Sequence, residues 1–257
     1  VIAVVVLVAL RIWLPDDTPA YAARGRIVAA PFSANSNTAD DSSSNGDDDD
    51  ESEAPEVPRL SWFDARTRPW LLAGLLGGHA QAAVMGLIGF LVLDRLGLRA
   101  TPDLGAAPIG RILMIGAGAT LLAQWGLIPM LRLGPKASCL TGITVAALGT
   151  ALIAVAQEEH GIAVGMGLAA MGFGLFRPGF TAGASLSVTR AEQGQSAGIV
   201  ASVNGAAYIF APAIAVWLYG HSPWIGFGTI GLLCLAVIYV GVRHMSGDAD
   251  LIETRRT

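Results

Sequence analysis

The sequence is organised by long apolar runs separated by short polar breaks. No charged residue occurs from Trp70 to Leu93, from Ile112 to Leu131, from Ala137 to Gln157, from Gln193 to Gly220 or from Ser222 to Val242. A sixth run, Gly161 to Thr189, is as long and carries a single cation, Arg177. A helix needs about 20 mostly apolar residues to cross the hydrocarbon core of a bilayer. Each run therefore predicts one membrane-spanning helix, and the short breaks between them predict a compact six-helix block. Residues 1–14, "VIAVVVLVALRIWL", are apolar but shorter. They read as the end of a further, truncated span. The other reading, a signal peptide ending at the small-residue "AYA" before Ala23, is weakened by the missing basic start, by Arg11 within the run and by Asp16 and Asp17 after it.

Residues 33–58, "SANSNTADDSSSNGDDDDESEAPEVP", reverse the pattern. Nine of the 20 acidic residues fall between Asp40 and Glu56, and so few apolar side chains cannot offset the entropy of ordering the segment. The expected organisation is a truncated transmembrane helix at 1–14, an acidic disordered linker at 15–68, a six-helix transmembrane domain at 69–243 and a tail at 244–257. An acidic run can also serve as a docking tail for a partner, although a solvated spacer is the simpler reading.

Composition agrees with a membrane protein. The chain is 53% hydrophobic and 14% charged, with a mean hydropathy of +0.56, against about 25% charged residues in an average soluble domain. The basic residues then set a topology. Twelve of the 16 Lys and Arg lie before residue 69, in the 132–136 break, at Arg190 or from Arg243 onward, and only Arg95, Arg99 and Arg111 lie on the opposite side. The positive-inside rule places the linker and the C-terminus in the cytoplasm, the expected location being the cell (inner) membrane. Six spans with both flanks inside divide into two triplets of opposite sense, as an inverted 3+3 repeat requires.

Candidate chemistry begins with Arg177 in "MGFGLFRPGFTAGASLSV". A charge at mid-bilayer costs roughly 2.5–3.5 kcal/mol even on insertion scales, and such residues usually face a bundle interior or a water-filled cavity. It reads as a substrate-binding or gating cation, or as a structural Arg bonded to freed helix carbonyls. Pro178 removes the donor for the carbonyl of Gly174 and marks a helix kink, as does Pro212 in its own span. Gly172, Gly174, Gly179 and Gly183 would admit a neighbouring helix or a substrate at close range. His79 and Gln81 in the first full span, Gln124, and the pair Asn204 and Tyr208, four apart on one helix face, complete the set of substrate-cavity candidates. Each also fits the role of a hydrogen-bonded link between helices.

All Asp and Glu fall in breaks, span ends, linker or tail, so no intramembrane carboxylate is present to run a proton relay. No nucleophile–base set, paired carboxylates, metal-spaced His/Cys group or phosphate loop is apparent, so the chain is not expected to be an enzyme or to hold a metal or cofactor. Cys139 and Cys234 lie in different spans and read as packing residues. A net charge of −4 and no basic patch with interleaved aromatics give nucleic-acid binding no support.

Residues 172–220, and most specifically "EQGQSAG" followed by "NGAAYIFAPAIAVWLYG", resemble the tenth and eleventh helices of major facilitator superfamily transporters, particularly drug:proton antiporters related to tetracycline efflux proteins. "FLVLDRLGL" (90–98) is similar to the end of the seventh helix of that group, and "QWGLIPMLRLGPKA" (124–137) to the eighth helix and its basic cytoplasmic turn. The resemblance covers about residues 62–243. It implies an all-α membrane fold in which this chain supplies the six-helix C-terminal half, with residues 1–14 as the end of the sixth helix. It further implies alternating access around a central cavity, a small amphipathic substrate, protons as the coupling ion, and an N-terminal six-helix half as partner. The pattern departs from the family in its longer, more acidic linker and in "APAIAV", which lacks the second glycine after the proline. The rival expectation is a non-transporting membrane scaffold or sensor that holds a cytoplasmic partner through the acidic linker.

Overall fold

A computed structural model of the protein describes residues 59–189 and 192–247; the truncated span expected at 1–14, the acidic linker up to residue 58, Arg190, and the tail from residue 248 lie outside the described residues. Among the described residues the chain is all-helical, with six helices long and apolar enough to cross a membrane: α1 (Arg68–Arg95), α2 (Pro102–Leu131), α3 (Pro135–Val155), α4 (Glu159–Leu186), α5 (Gln193–His221) and α6 (Pro223–His244). Their apolar residues run all the way round rather than along one stripe, which is the pattern of helices solvated by lipid or by one another.

Local chemistry sets the boundaries. Proline occupies the first turn of α1, α2, α3 and α6, where its missing N–H would have had no helical partner. Gly97 takes φ +67° just beyond the end of α1, a left-handed conformation that glycine adopts at little cost. Arg132 closes α2 in the same region at φ 48°, and Ser222 alone separates α5 from α6. The second helix is longer than its charge-free run: it starts at Pro102 and takes in Asp103, Pro108 and Arg111. Arg111 is held there by Glu159 at the start of α4, Nε–Oε1 2.7 Å and Nη2–Oε2 2.9 Å. Residues Leu122–Leu127 of α2 are π-helical, a local change that the apolar pattern does not foretell. The helices α4 and α5 run on through Pro178 and Pro212.

Packing centres on α1 and α4, which cross antiparallel. Phe180 and Phe176 seat on Gly74 and Gly77, and Trp70 seats on Gly183. Both phenylalanines and Trp70 are fully buried. The most extensive pairing joins α3 to α4. Gly142 and Gly149 on α3 face Gly165, Gly172 and Gly179 on α4, each set spaced by seven residues. A Cβ on Gly142 would lie 2.5 Å from the backbone N of Phe176, and one on Gly179 would lie 2.7 Å from that of Cys139. Small residues at such a seam let two backbones meet, which is how helices gain contact in lipid. The helix α5 lies parallel to α1, with Gly78 on Ala207 and Gly86 on Pro212, while α2 lies parallel to α4, with Gly116 on Met166 and Gly174 on Thr120 and Ala123. Behind the α1–α4 seam α3 and α6 pack on each other; α2 and α5 form no comparable pair. The bundle is thus closed on one side of the seam and grooved on the other.

The outer surface is strongly apolar. Met114, Phe210, Trp217 and Leu232 are among many large side chains more than half exposed, a surface suited to hydrocarbon rather than water. Exposed Trp62, Trp125 and Tyr239 lie towards one end of the bundle and Trp217 and Trp224 towards the other, as interfacial aromatic belts do. These features support a multi-pass membrane protein. Cys139 and Cys234 are free thiols buried in the packing.

Candidate functional site

The four glycines around Arg177 each admit a helix. Gly172 and Gly179 meet α3, Gly174 meets α2, and Gly183 meets Trp70 of α1. Arg177 lies one turn beyond Phe173 and Gly174, on the α4 face between the neighbours α1 and α2. That face borders the groove. The Arg177 side chain is exposed, and it forms no hydrogen bond or ion pair with another described residue. Near Pro178, the Ser138 hydroxyl of α3 donates to the carbonyl oxygen of Leu175 at 3.0 Å, next to the Gly174 carbonyl that Pro178 leaves without its helical donor.

Where α1 and α4 diverge, Gln81, Val84, Met85, Thr120, Met166, Ala169, Ala170 and Phe173 line a narrow, partly open cleft between α1, α2 and α4. Phe173 is one turn from Arg177, and Thr120 is one turn from Gln124. The Thr120 hydroxyl donates to the carbonyls of Gly116 (3.0 Å) and Ala170 (3.3 Å), tying α2 to α4 beneath the cleft. Gln124 itself is exposed within the π-helical stretch, a type of irregularity frequent at functional sites. The contacts of Gly77 with Phe176, Gly78 with Ala207 and Gly174 with Thr120 put Arg177, Asn204 and Gln124 within about one helical turn of the same level. Asn204, Tyr208 and Pro212 form one stripe on α5, and Pro212 rests on Gly86 of α1. This stripe flanks the groove on its other side.

His79 departs from the group. Although only two residues from Gln81, it points the opposite way around α1, into a second, mostly apolar and partly open crevice between α1, α5 and α6, lined among others by Ala83, Ala211, Ala215, Thr229 and Ile230. Its Nδ1 lies 2.7 Å from the carbonyl oxygen of Leu75. Because that oxygen can only accept, Nδ1 is the protonated nitrogen. Gln81, Gln124, Asn204 and Tyr208 form no hydrogen bond with another described residue, and His79 bonds only to its own helix. None of the six joins two helices.

The links between helices are made by residues that the apolar pattern did not single out. At the end of the bundle where α1 and α5 begin, Arg66 is chelated by two carboxylates. It donates to Asp64 from Nε (3.1 Å) and Nη2 (2.9 Å), and to Glu192 from Nη1 (3.2 Å) and Nη2 (2.9 Å). Glu192 also accepts from the N–H and hydroxyl of Thr189, both at 2.9 Å, and Gln195 accepts from the N–H of Leu60 at 2.6 Å. The hydrogen bonds from Arg66 hold both the Asp64 and the Glu192 carboxyl below the usual carboxylate range, and these carboxylates, Asp64 foremost, raise the pKa of Arg66. At the opposite end Arg99 forks onto Asp94, with Nη2–Oδ2 at 2.9 Å, and Tyr219 of α5 donates to the same carboxylate at 3.0 Å. The Asp94 hydrogen bonds raise the pKa of Arg99. Arg95 reaches Gln157 Oε1 (2.6 Å) and the carbonyl of Ala154 (3.1 Å) at the end of α3. The sequence clue was present: each of these charges sits at a span end, where opposite charges from two helices can meet.

The groove can bind through hydrogen bonds and charge, but it presents no nucleophile with a base. Among the described residues no group of three or more His, Cys, Asp and Glu could hold a metal ion. Comparison with known proteins gives no family model, no curated protein and no solved structure that matches the chain.

Proposed function

We infer that the bundle is one six-helix half of a secondary active transporter of the major facilitator type, exporting small amphipathic molecules in exchange for protons by alternating access. The observation that carries this reading is the groove. Five polar side chains from four helices border it, Arg177, Gln81, Gln124, Asn204 and Tyr208, and none has a partner among the described residues. Polar groups that deep are costly unless a ligand, water or another protein surface meets them. A helix-to-helix linking role would instead have paired them across the bundle.

The packing supports a 3+3 inverted repeat. Exchanging α1–α3 for α4–α6 maps the α1–α5 pair onto α4–α2 and the α1–α6 pair onto α4–α3, and it maps α1–α4 and α3–α6 onto themselves. Both mapped pairs keep their relative sense, parallel in the first case and antiparallel in the second. The symmetry is approximate: α3–α4 pack far more extensively than their counterpart α1–α6, and the α5–α6 pairing has no equally extensive counterpart between α2 and α3. With the excess of basic residues cytoplasmic, α1, α3 and α5 start inside and the Arg66 cluster lies at the cytoplasmic face.

The test is export of amphipathic dyes from cells making the full-length protein, with and without a protonophore. Export that stops with the protonophore supports the reading. Specific capture of a cytoplasmic protein through residues 40–56, with no flux, would favour the scaffold instead.

A further inference from the structure

We propose that the groove takes organic anions, and that Arg177 receives the anionic head of the substrate. The proposal rests on the transport reading of the groove and names its substrate class. Arg177 lies nine residues before Leu186 and eighteen after Glu159 in α4, about 13 Å from the nearer helix end, roughly twice the span of an arginine side chain. Side chains in a helix lean towards its N-terminus, over the preceding turn. The guanidinium is therefore carried over Gly174 and Phe173, towards the cleft and away from that nearer end, so it does not snorkel to the interface.

No described carboxylate answers it. The described acids are Asp64, Asp94, Asp103, Glu158, Glu159 and Glu192, all within two residues of a helix end or in connecting segments, and four of them are engaged by Arg66, Arg99 and Arg111. Arg111 makes the contrast clear. It too lies nine residues inside a helix, yet Glu159 meets it in a two-pronged pair. Arg177 is left as a full positive charge inside a span with no counter-charge among the described residues. A guanidinium offers paired N–H groups that match a carboxylate, and the amide N–H groups of Gln81 and Gln124 add donors along the groove. Phe173, Met85 and Val84 supply apolar wall. The complementary ligand is a small carboxylate with an apolar body, whose charge offsets the cost of keeping Arg177 ionised in the membrane.

The experiment compares two probes of one shape, 1-naphthaleneacetate and its neutral amide, in equilibrium binding to the purified full-length protein at pH 7. The acid should bind at least tenfold more tightly than the amide. Arg177→Gln should bring the two within twofold, and Arg177→Lys should retain part of the preference. The thermal midpoint should stay within 2 °C throughout. A wild type that binds the acid no better than the amide, or not at all, overturns the proposal. So does an Arg177→Gln protein that keeps the preference. A fall in thermal midpoint for both variants without any acid preference in the wild type would assign Arg177 to a carboxylate elsewhere in the protein, and also overturns it. Should Arg177→Gln fail to fold, the reduced preference of Arg177→Lys decides. The two readings fail separately: acid preference without proton-dependent flux removes transport and keeps the anion site, whereas flux of neutral dyes without acid preference does the reverse.

Discussion

Arg177 and the seam glycines are separated by a few residues and do opposite things. The glycines are filled: at Gly142 an added methyl carbon would sit 2.5 Å from one backbone nitrogen and 2.7 Å from the carbonyl oxygen of Gly172, and neither backbone can swing aside as a side chain can. Gly142→Ala should therefore destabilise the bundle by about 1–3 kcal/mol, read as a lower thermal midpoint in detergent. Gly228→Ala, at an α6 position with nothing within 4 Å, should be neutral or slightly stabilising. Equal midpoints for the two variants would remove the seam from the account. Arg177→Ala should leave insertion and midpoint intact and lower export at least tenfold, because nothing described leans on the guanidinium. The sequence alone placed Arg177 and its glycines in one span, but it could not say which glycines admitted helices. That depends on seven-residue spacing matched across two segments, and only the folded pair reveals the match. It also grouped His79 with Gln81, which a 3.6-residue period separates onto opposite faces of α1.

At the scale of elements, α1 and α5 are fastened at both ends, by Arg66 with Glu192 and by Asp94 with Tyr219, so they should move as a unit. The first fastening carries a pH signature. Because Arg66 depresses the Asp64 and Glu192 pKa values, the stability they contribute is fully present above the ordinary carboxylate range and is lost only as pH falls through their lower folded values. The bundle should thus be insensitive to this cluster from pH 5 to 8 and loosen there only below about pH 4. Amide exchange at residues 60–67 and 192–195 should rise in that window. Glu192→Gln should raise it already at pH 7, at a cost of about 1 kcal/mol or less, as expected for a pair at a water-exposed end. Exchange at pH 7 unchanged by Glu192→Gln would show that the fastening is not made. Six spans were legible, five from charge-free apolar runs and one from the run that carries Arg177, and the helices follow in that order. The start of α2 was not, because Arg111 reads as the end of a break until Glu159 is seen beside it. The π-helical turn at Leu122–Leu127 leaves no mark in the apolar pattern, since every residue but Gln124 in it is apolar or glycine.

Within the six-helix unit, α3 and α6 pack on each other on one side of the α1–α4 seam while α2 and α5 form no comparable pair on the other, and that more open side is where the unpartnered polar groups collect. The orientation proposed from the basic residues is testable by labelling. In a Cys139→Ala, Cys234→Ala background, Trp62→Cys should react with a membrane-impermeant thiol reagent only from the cytoplasm, and His221→Cys only from outside. The reverse result would invert the topology. Deleting residues 36–54 should leave export largely unchanged, and complete loss in well-inserted protein would give the acidic segment a role beyond spacing. Whether the groove is a transport path is decided by protonophore-sensitive export of cationic, neutral and anionic dyes by cells making the wild type or Arg177→Ala at equal membrane levels. Wild-type cells should export at least one dye, with export abolished by the protonophore and reduced at least tenfold in Arg177→Ala. Export of no dye by well-inserted wild type, or export equally strong in Arg177→Ala, would contradict transport through the groove.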